Sequence, residues 1–115
     1  MATATYPYKL DALRDNCPLN AAIHAIRGRW KACIIDELRA GPRRFSELRA
    51  AFPGVATQAL AMQLRQLEAD KIINRTVTTG RPPRVDYSMT AEGEGLLGIM
   101  AELKIWGEGY LQRQA

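Results

Sequence analysis

Arginine stands at three separated places in this chain: Arg43-Arg44, Arg65, and Arg81 with Arg84. Its planar, permanently charged fork bonds phosphate oxygens and the guanine edge, so arginines gathered on one side of a fold make a polyanion-binding surface. Gln58 lies seven residues before Arg65, two helical turns away, and a glutamine amide pairs with adenine through both its groups. Between them Ala61 and Met62 offer apolar contact of the kind a thymine methyl accepts. Thr57 offers a hydroxyl for a phosphate or a helix cap. Singly, Gln58 and Arg65 fit the solvated face of any amphipathic helix. The arginines around them favour a binding role.

Thiol chemistry is the second theme. There are two cysteines, Cys17 and Cys33, which is no disulfide framework. Cys17 precedes Pro18 at an expected helix start, where free N–H groups and the helix dipole stabilise a thiolate. Such a thiol reacts with oxidants, quinones or aldehydes; the plain alternative is a half-buried N-cap. Cys33 follows Trp30 by three residues on an expected core face and reads as a small buried hydrophobe. His24, the one histidine, has a structural reading. Cys17, His24 and Cys33 match no usual zinc spacing. The chain has no glycine-rich phosphate loop, zinc-protease motif or serine elbow, and its acidic residues are scattered singly. These features point away from an enzyme, a metal site or a cofactor.

Helical spacing begins at Leu19, Ala22, Ile23 and Ile26, with Pro18 at the first helical position and Gly28 as the stop. A second helix puts Trp30, Cys33, Ile34 and Leu38 on one face, and Gly41-Pro42 ends it. A short third helix runs from about Ser46 to Phe52, with Phe45, Leu48 and Phe52 inward. After the Pro53-Gly54 turn, a fourth spans Thr57 to Asp70 on a stripe of Leu60, Leu64 and Leu67. At 100° per residue, Gln58, Ala61, Met62 and Arg65 fall on the opposite face. The period then changes to two: Ile73 to Thr79, and Val85, Tyr87 and Met89, flank Gly80-Arg81-Pro82-Pro83 as a β-hairpin. Thr90 caps one long final helix with a stripe of Leu96, Leu97, Met100, Leu103, Trp106 and Tyr110.

The fold class that follows is mainly α with a small β-hairpin. Two helices joined by a Pro-Gly turn and followed by a basic hairpin describe a winged helix-turn-helix. The fourth helix would enter the major groove of DNA, Arg43 and Arg44 would meet passing phosphates, and Arg81 and Arg84 would sit at the wing tip.

With 115 residues the chain reads as a single domain. Residues 1–9 are a polar lead, 10–28 an N-terminal dimer segment, 29–90 a DNA-binding core with wing, and 91–115 a dimerisation helix. A domain this size buries roughly two-thirds of its unfolded surface. Gly93, Gly95, Gly98, Gly107 and Gly109 each cost about 1 kcal/mol in a helix interior, so packing must hold that helix. A two-fold dimer through Leu96, Met100, Leu103, Trp106 and Tyr110 supplies the packing and suits paired DNA half-sites. The net charge of +4, with 47% hydrophobic and 24% charged residues, suits a globular, mildly basic protein. No export signal, low-complexity tract or membrane-length apolar run stands in the sequence, so a cytoplasmic location is expected.

Several segments together resemble the HxlR family of bacterial regulators, related to the MarR group. They are Cys17-Pro18-Leu19, Gly28-Arg29-Trp30-Lys31 and Gly41-Pro42-Arg43-Arg44-Phe45-Ser46-Glu47-Leu48, then Pro53-Gly54-Val55 and Leu64-Arg65-Gln66-Leu67-Glu68-Ala69-Asp70. Pro82-Pro83-Arg84-Val85-Asp86-Tyr87-Ser88-Met89-Thr90, Leu96 and Trp106-Gly107 complete the set. The resemblance implies a winged-helix homodimer that binds double-stranded operator DNA and represses or activates nearby genes. It also implies oxidant or electrophile sensing at Cys17, since several such regulators carry a sensing cysteine there. A disulfide would then join the two copies of Cys17, or Cys17 and the partner's Cys33. A small-molecule effector is a further expectation, with no residue cluster to mark its pocket.

Three positions depart from the family pattern. Ala56 replaces a serine that usually opens the recognition helix, so Thr57 is expected to cap it. Ala61-Met62 replaces a frequent polar pair. Lys71 replaces a common glycine and is expected to favour a different turn. The alternative function is a winged-helix module for protein–protein contact, although such modules commonly lose the basic wing and the polar recognition face.

Overall fold

Pro18 fixes the start of the first helix, as its φ requires. In the computed structural model, which describes residues 17–115, α1 spans Pro18–Ile26 behind an extended Cys17 at the N-cap. The Cys17 carbonyl accepts the Ala21 N–H at 2.9 Å, while its side chain makes no cap bond. The polar lead and the 10–16 part of the N-terminal segment lie outside the described residues. Gly28 turns the chain at φ +155°, and a Cβ there would stand 2.6 Å from Gln63 Oε1.

The second helix, α2 (Lys31–Leu38), turns Lys31, Ile34, Ile35 and Leu38 inward. Cys33 is exposed, not buried. The inward set follows the i, i+3, i+4, i+7 rule from Lys31, and Cys33 lies about 100° from Ile34 on its outer side. Apolarity alone misplaced it.

Arg43–Arg44 forms a two-residue strand, β1, too short to leave a periodic signature. The next helix, α3 (Phe45–Ala51), buries Leu48. Its first turn is closed by the Glu47 carboxylate, which accepts the Arg44 N–H at 2.7 Å. The fourth helix, α4 (Thr57–Ala69), buries Leu60, Leu64 and Leu67 as their spacing requires. Ala56 holds the N-cap and Thr57 is the first helical residue, so the expected Thr57 cap is corrected.

Lys71 keeps the turn that a glycine would make. Its φ is +63°, the Ile72 N–H reaches the Leu67 carbonyl at 2.9 Å, and the Lys71 N–H reaches that of Glu68 at 3.0 Å. This is a Schellman ending with a strained residue at its left-handed position. A left-handed L-residue costs roughly 1–2 kcal/mol, so Lys71→Gly is expected to stabilise the fold by about 0.5–1 kcal/mol after the entropy of glycine is subtracted. Urea denaturation should show a raised midpoint; a lowered one would mean the Lys71 side chain contributes more than the strain costs.

Strands β2 (Ile73–Thr78) and β3 (Arg84–Met89) make the hairpin, in register from Ile73 opposite Met89 to Thr78 opposite Arg84. β1 adds to the other side of β3, with Arg43 opposite Tyr87 and Arg44 opposite Asp86, giving the sheet order β1-β3-β2.

The expected single final helix is two. Thr90 caps α5 (Ala91–Glu94), a tight turn at Gly95-Leu96 follows, and α6 (Leu97–Gln114) runs to the end. Three glycines within six residues weaken helix propensity there, and i→i+3 bonds from Gly95 to Glu92 and from Leu96 to Gly93 tighten the chain. Thr90 Oγ1 accepts the Gly93 N–H at 2.9 Å and donates to the Lys71 carbonyl at 2.7 Å. The Thr90 N–H donates to the Ile72 carbonyl at 3.1 Å, so the base of the hairpin, the end of α4 and the start of α5 form one junction.

The core gathers Ile34, Ile35, Leu38, Leu48, Leu60, Leu64, Leu67, Ile72, Ile73, Tyr87 and Met100. Met100 is therefore a core residue of its own chain, and Leu96 packs partly against the same core; both are corrected as free dimer-face residues. Asp36 ties α2 to α6, accepting from Lys104 Nζ at 3.1 Å and from Arg39 Nε at 3.3 Å. Burial works to raise the Asp36 pKa, but the bonds and charges of Lys104 and Arg39 prevail and hold it below the ordinary carboxylate value. A depressed pKa contributes stability above the unfolded-state value, about 3.9, and loses it as pH falls through the folded one. Asp36→Asn is expected to cost under about 1 kcal/mol at pH 7, because the pair is solvent-screened, and to cost less at pH 3. Urea titrations at the two pH values read the difference.

Candidate nucleic-acid interface

The outer face of α4 presents what its register requires. Leu60, Leu64 and Leu67 hold one side against the core, which turns Gln58, Met62 and Arg65 outward as exposed residues, with Ala61 half-buried beside them. Met62 is 50% exposed, a large apolar side chain standing in solvent between two polar ones. Thr57 is exposed at the first helical position, ahead of Gln58. No side chain caps that end, so its first-turn N–H groups have no side-chain acceptor from the cap residue.

The sheet sets the flanking charges. Pairing of β1 with β3 joins Arg43 and Arg44 to the middle of the hairpin's second strand. Arg44 is exposed and Arg43 half-buried. Arg81 is exposed in the loop between β2 and β3, where a cis bond precedes Pro82. Arg84 is not an isolated tip charge: its Nε donates to both oxygens of Asp86, at 3.0 and 3.2 Å. That bond uses the Nε edge and leaves the two terminal nitrogens of the guanidinium for another acceptor.

Two contributors were missed in the sequence. Arg75 is exposed on β2, and Arg49 on α3. Arg75 falls in a β-branched run that reads as strand first and charge second. The seat of α4 is a separate feature: Gln63 is half-buried, its Oε1 lies against Gly28, and that oxygen has no hydrogen-bond partner. Lys31 is itself 7% exposed. A Cβ at residue 28 would press on both side chains, which accounts for the glycine there.

Among the described residues, no three His, Cys, Asp or Glu side chains cluster as metal ligands, and no helix is long and apolar enough to cross a membrane.

An exposed helix face with polar ends, on the second helix of a helix-turn-helix that a basic hairpin follows, is the arrangement of a winged helix-turn-helix. Residues 25–115 match the HxlR-like helix-turn-helix family. The chain belongs to that family. Members are transcriptional regulators, not enzymes, and this HxlR-like chain is a transcriptional regulator of the HxlR/MarR type. The chain is 37% identical over 99 residues to the uncharacterized HTH-type transcriptional regulator YdeP of Bacillus subtilis, covering 86% of this chain and 77% of that one. Among solved structures it is similar to the redox regulator HypR in its reduced form, at TM-score 0.78 and 38% identity, over 81% of this chain and 92% of that one. It is also similar to diamide-treated YodB from B. subtilis, at TM-score 0.70 and 32% identity, over 82% and 94% of the two chains.

Proposed function

We propose that this HxlR-like regulator binds operator DNA as a cytoplasmic homodimer and reads it with α4. Gln58 and Arg65 are the base-reading pair, with Ala61 and Met62 as apolar contacts and Thr57 on the backbone. Arg43, Arg44, Arg81 and Arg84 hold phosphates, so most of the affinity is salt-dependent. The observation that carries this is the outward register of Gln58, Met62 and Arg65 on a helix whose other face is locked by Leu60, Leu64 and Leu67. In this reading residues 1–115 act as one domain: 10–28 and 91–115 join the subunits, and 29–90 bind DNA. Leu103, Trp106 and Tyr110 are the exposed members of the subunit face.

Cys17 is the proposed sensor. It is half-buried at the start of α1, ahead of Pro18, with no cap bond to occupy its sulfur. Relatives solved after diamide treatment, with quinone bound and in an oxidized form lend this support. For a non-covalent effector, a cavity of about 590 Å³ lies between α1 and the α4–α5 junction, with His24, Asp70 and Glu92 on its wall.

Fluorescence anisotropy of labelled DNA from the gene's upstream region, against scrambled DNA at several salt concentrations, tests the proposal. Selective, salt-sensitive binding that diamide abolishes, and that Cys17→Ser protects, is the expected result. Equal, weak binding to a full set of upstream fragments and to scrambled DNA would favour the protein–protein module instead. Selective binding indifferent to diamide would remove the sensor role alone.

A further inference from the structure

Arg27 and Arg29 are exposed in the loop between α1 and α2, on either side of Gly28. Neither makes an ion pair among the described residues. Lys31 follows at the first position of α2 and is 7% exposed, again with no hydrogen bond or ion pair from its side chain among the described residues. Burying a cation costs free energy unless an opposite charge meets it, and the positive end of the helix dipole adds to that cost. Nothing on α2 answers it: the first turn has no acidic residue, and the N-cap Trp30 makes no side-chain cap bond. The N–H groups of Lys31, Ala32 and Cys33 also lack an intrahelical acceptor. The lysine stem folds back over this helix start, with Cδ and Cε 3.0 and 3.2 Å from where a Cβ on Gly28 would stand. A buried unpaired cation, an open helix start and two exposed arginines make a site for an anion.

The loop is tied to both helices of the helix-turn-helix, α3 and α4. Gly28, at φ +155°, approaches α4 so closely that a Cβ would stand 2.6 Å from Gln63 Oε1. At 100° per residue, Gln63 lies on one flank of the leucine stripe of α4, with Ala61 and Arg65 on the other. The Arg29 guanidinium rests over the Trp30 ring, 5.5 Å from its centroid. That ring lies 6.4 Å from Phe52, just before the Pro53-Gly54 turn.

We propose that this loop is a phosphate clamp: the start of α2, Lys31, Arg27 and Arg29 bind the DNA backbone along the flank of α4 that Arg65 does not face. Phosphodiester oxygens suit the site, because they are anionic and accept from backbone N–H, ammonium and guanidinium groups alike. The anion is the DNA backbone because the loop is seated on the two helices that meet the groove. The inference rests on the operator-binding reading above. It adds a contact from the segment that leads out of α1, which that reading gave to the dimer.

The test uses the full chain with Arg27→Gln and Arg29→Gln combined, and separately Lys31→Met, which keeps the stem and removes the charge. Circular dichroism checks each fold; the arginine variant decides the matter if Lys31→Met does not fold, because both arginines are on the surface. Anisotropy titrations on the operator fragment and on scrambled DNA, from about 50 to 200 mM salt, give the slope of log affinity against log salt. Each phosphate contact contributes about 0.9 to that slope, so the double variant should lose about 1.8 on both DNAs. Over this salt range its affinity should fall by a factor about tenfold smaller than the parent's. Operator duplexes carrying one neutral methylphosphonate linkage at a time locate the contact: at the clamped phosphate the parent loses affinity and the double variant loses no more. Unchanged affinity and slope in the variants would overturn the clamp and leave operator binding through α4 standing. Loss on the operator alone, at an unchanged slope, would overturn it in favour of a loop that only seats α4. A lower slope with no phosphate that behaves as the clamped one would overturn it in favour of long-range charge. A parent that binds neither DNA would remove the operator reading and this inference together.

Discussion

Gly93→Ala is expected to cost about 3 kcal/mol or more, the upper end of what forced overpacking usually costs. Gly93 is buried, and a Cβ on it would collide with the Ile72 carbonyl oxygen, with Met89 Cε 2.9 Å away on another side. A flexible side chain could yield, but the carbonyl cannot move freely. It already accepts the Thr90 N–H at 3.1 Å, and Ile72 itself closes the Schellman turn of α4. Adding one methyl group therefore strains the end of the recognition helix, the base of the hairpin and the start of α5 together. Thermal and urea denaturation should both show the loss, and DNA affinity should fall through the misplaced wing. A variant within about 0.5 kcal/mol of the parent, the range of an ordinary surface change, would mean that the junction relaxes at low cost.

Arg65→Ala is expected to weaken binding to the operator by about 1–3 kcal/mol per half-site while leaving non-specific binding nearly intact. The side chain is exposed on the outward face of α4, away from the core, so the fold should not change. Arg44→Ala is the contrasting case. As a phosphate contact it should weaken operator and scrambled DNA alike and reduce the slope of log affinity against log salt by about one. Anisotropy titrations at three salt concentrations separate the two. Equal losses on both DNAs for Arg65→Ala would assign that residue to the backbone and leave base reading to Gln58 and Met62.

Elements with a long period were legible in the sequence. The leucine stripe of α4 located its buried face, and hence Gln58, Met62 and Arg65 opposite, because a helix leaves no other arrangement for residues four apart. Pro18 marked a helix start, and the change from period 3.6 to 2 marked the hairpin. The family was legible in short segments spread over most of the chain.

Where several elements meet, one-dimensional pattern was not enough. Cys33 looked apolar enough to bury, yet the face of α2 is set by what packs on Lys31, Ile34, Ile35 and Leu38, and the thiol is left outside. Met100 fitted the long stripe of the last helix, but the break at Gly95-Leu96 re-aims α6 and turns Met100 into the core. Beside the break, Gly93 lies against Ile72, a contact between residues twenty-one apart. Lys71 was expected to change its turn, but tertiary bonds hold it at φ +63° against its own preference. Arg84 looked like a free charge until strand pairing and its bond to Asp86 gave it an orientation. The sequence by itself determined which faces are apolar, where the first helix starts and which residues of α4 face away from the core. Only the tertiary structure decided which apolar faces find cover, because burial is a property of two surfaces and a sequence writes down one at a time.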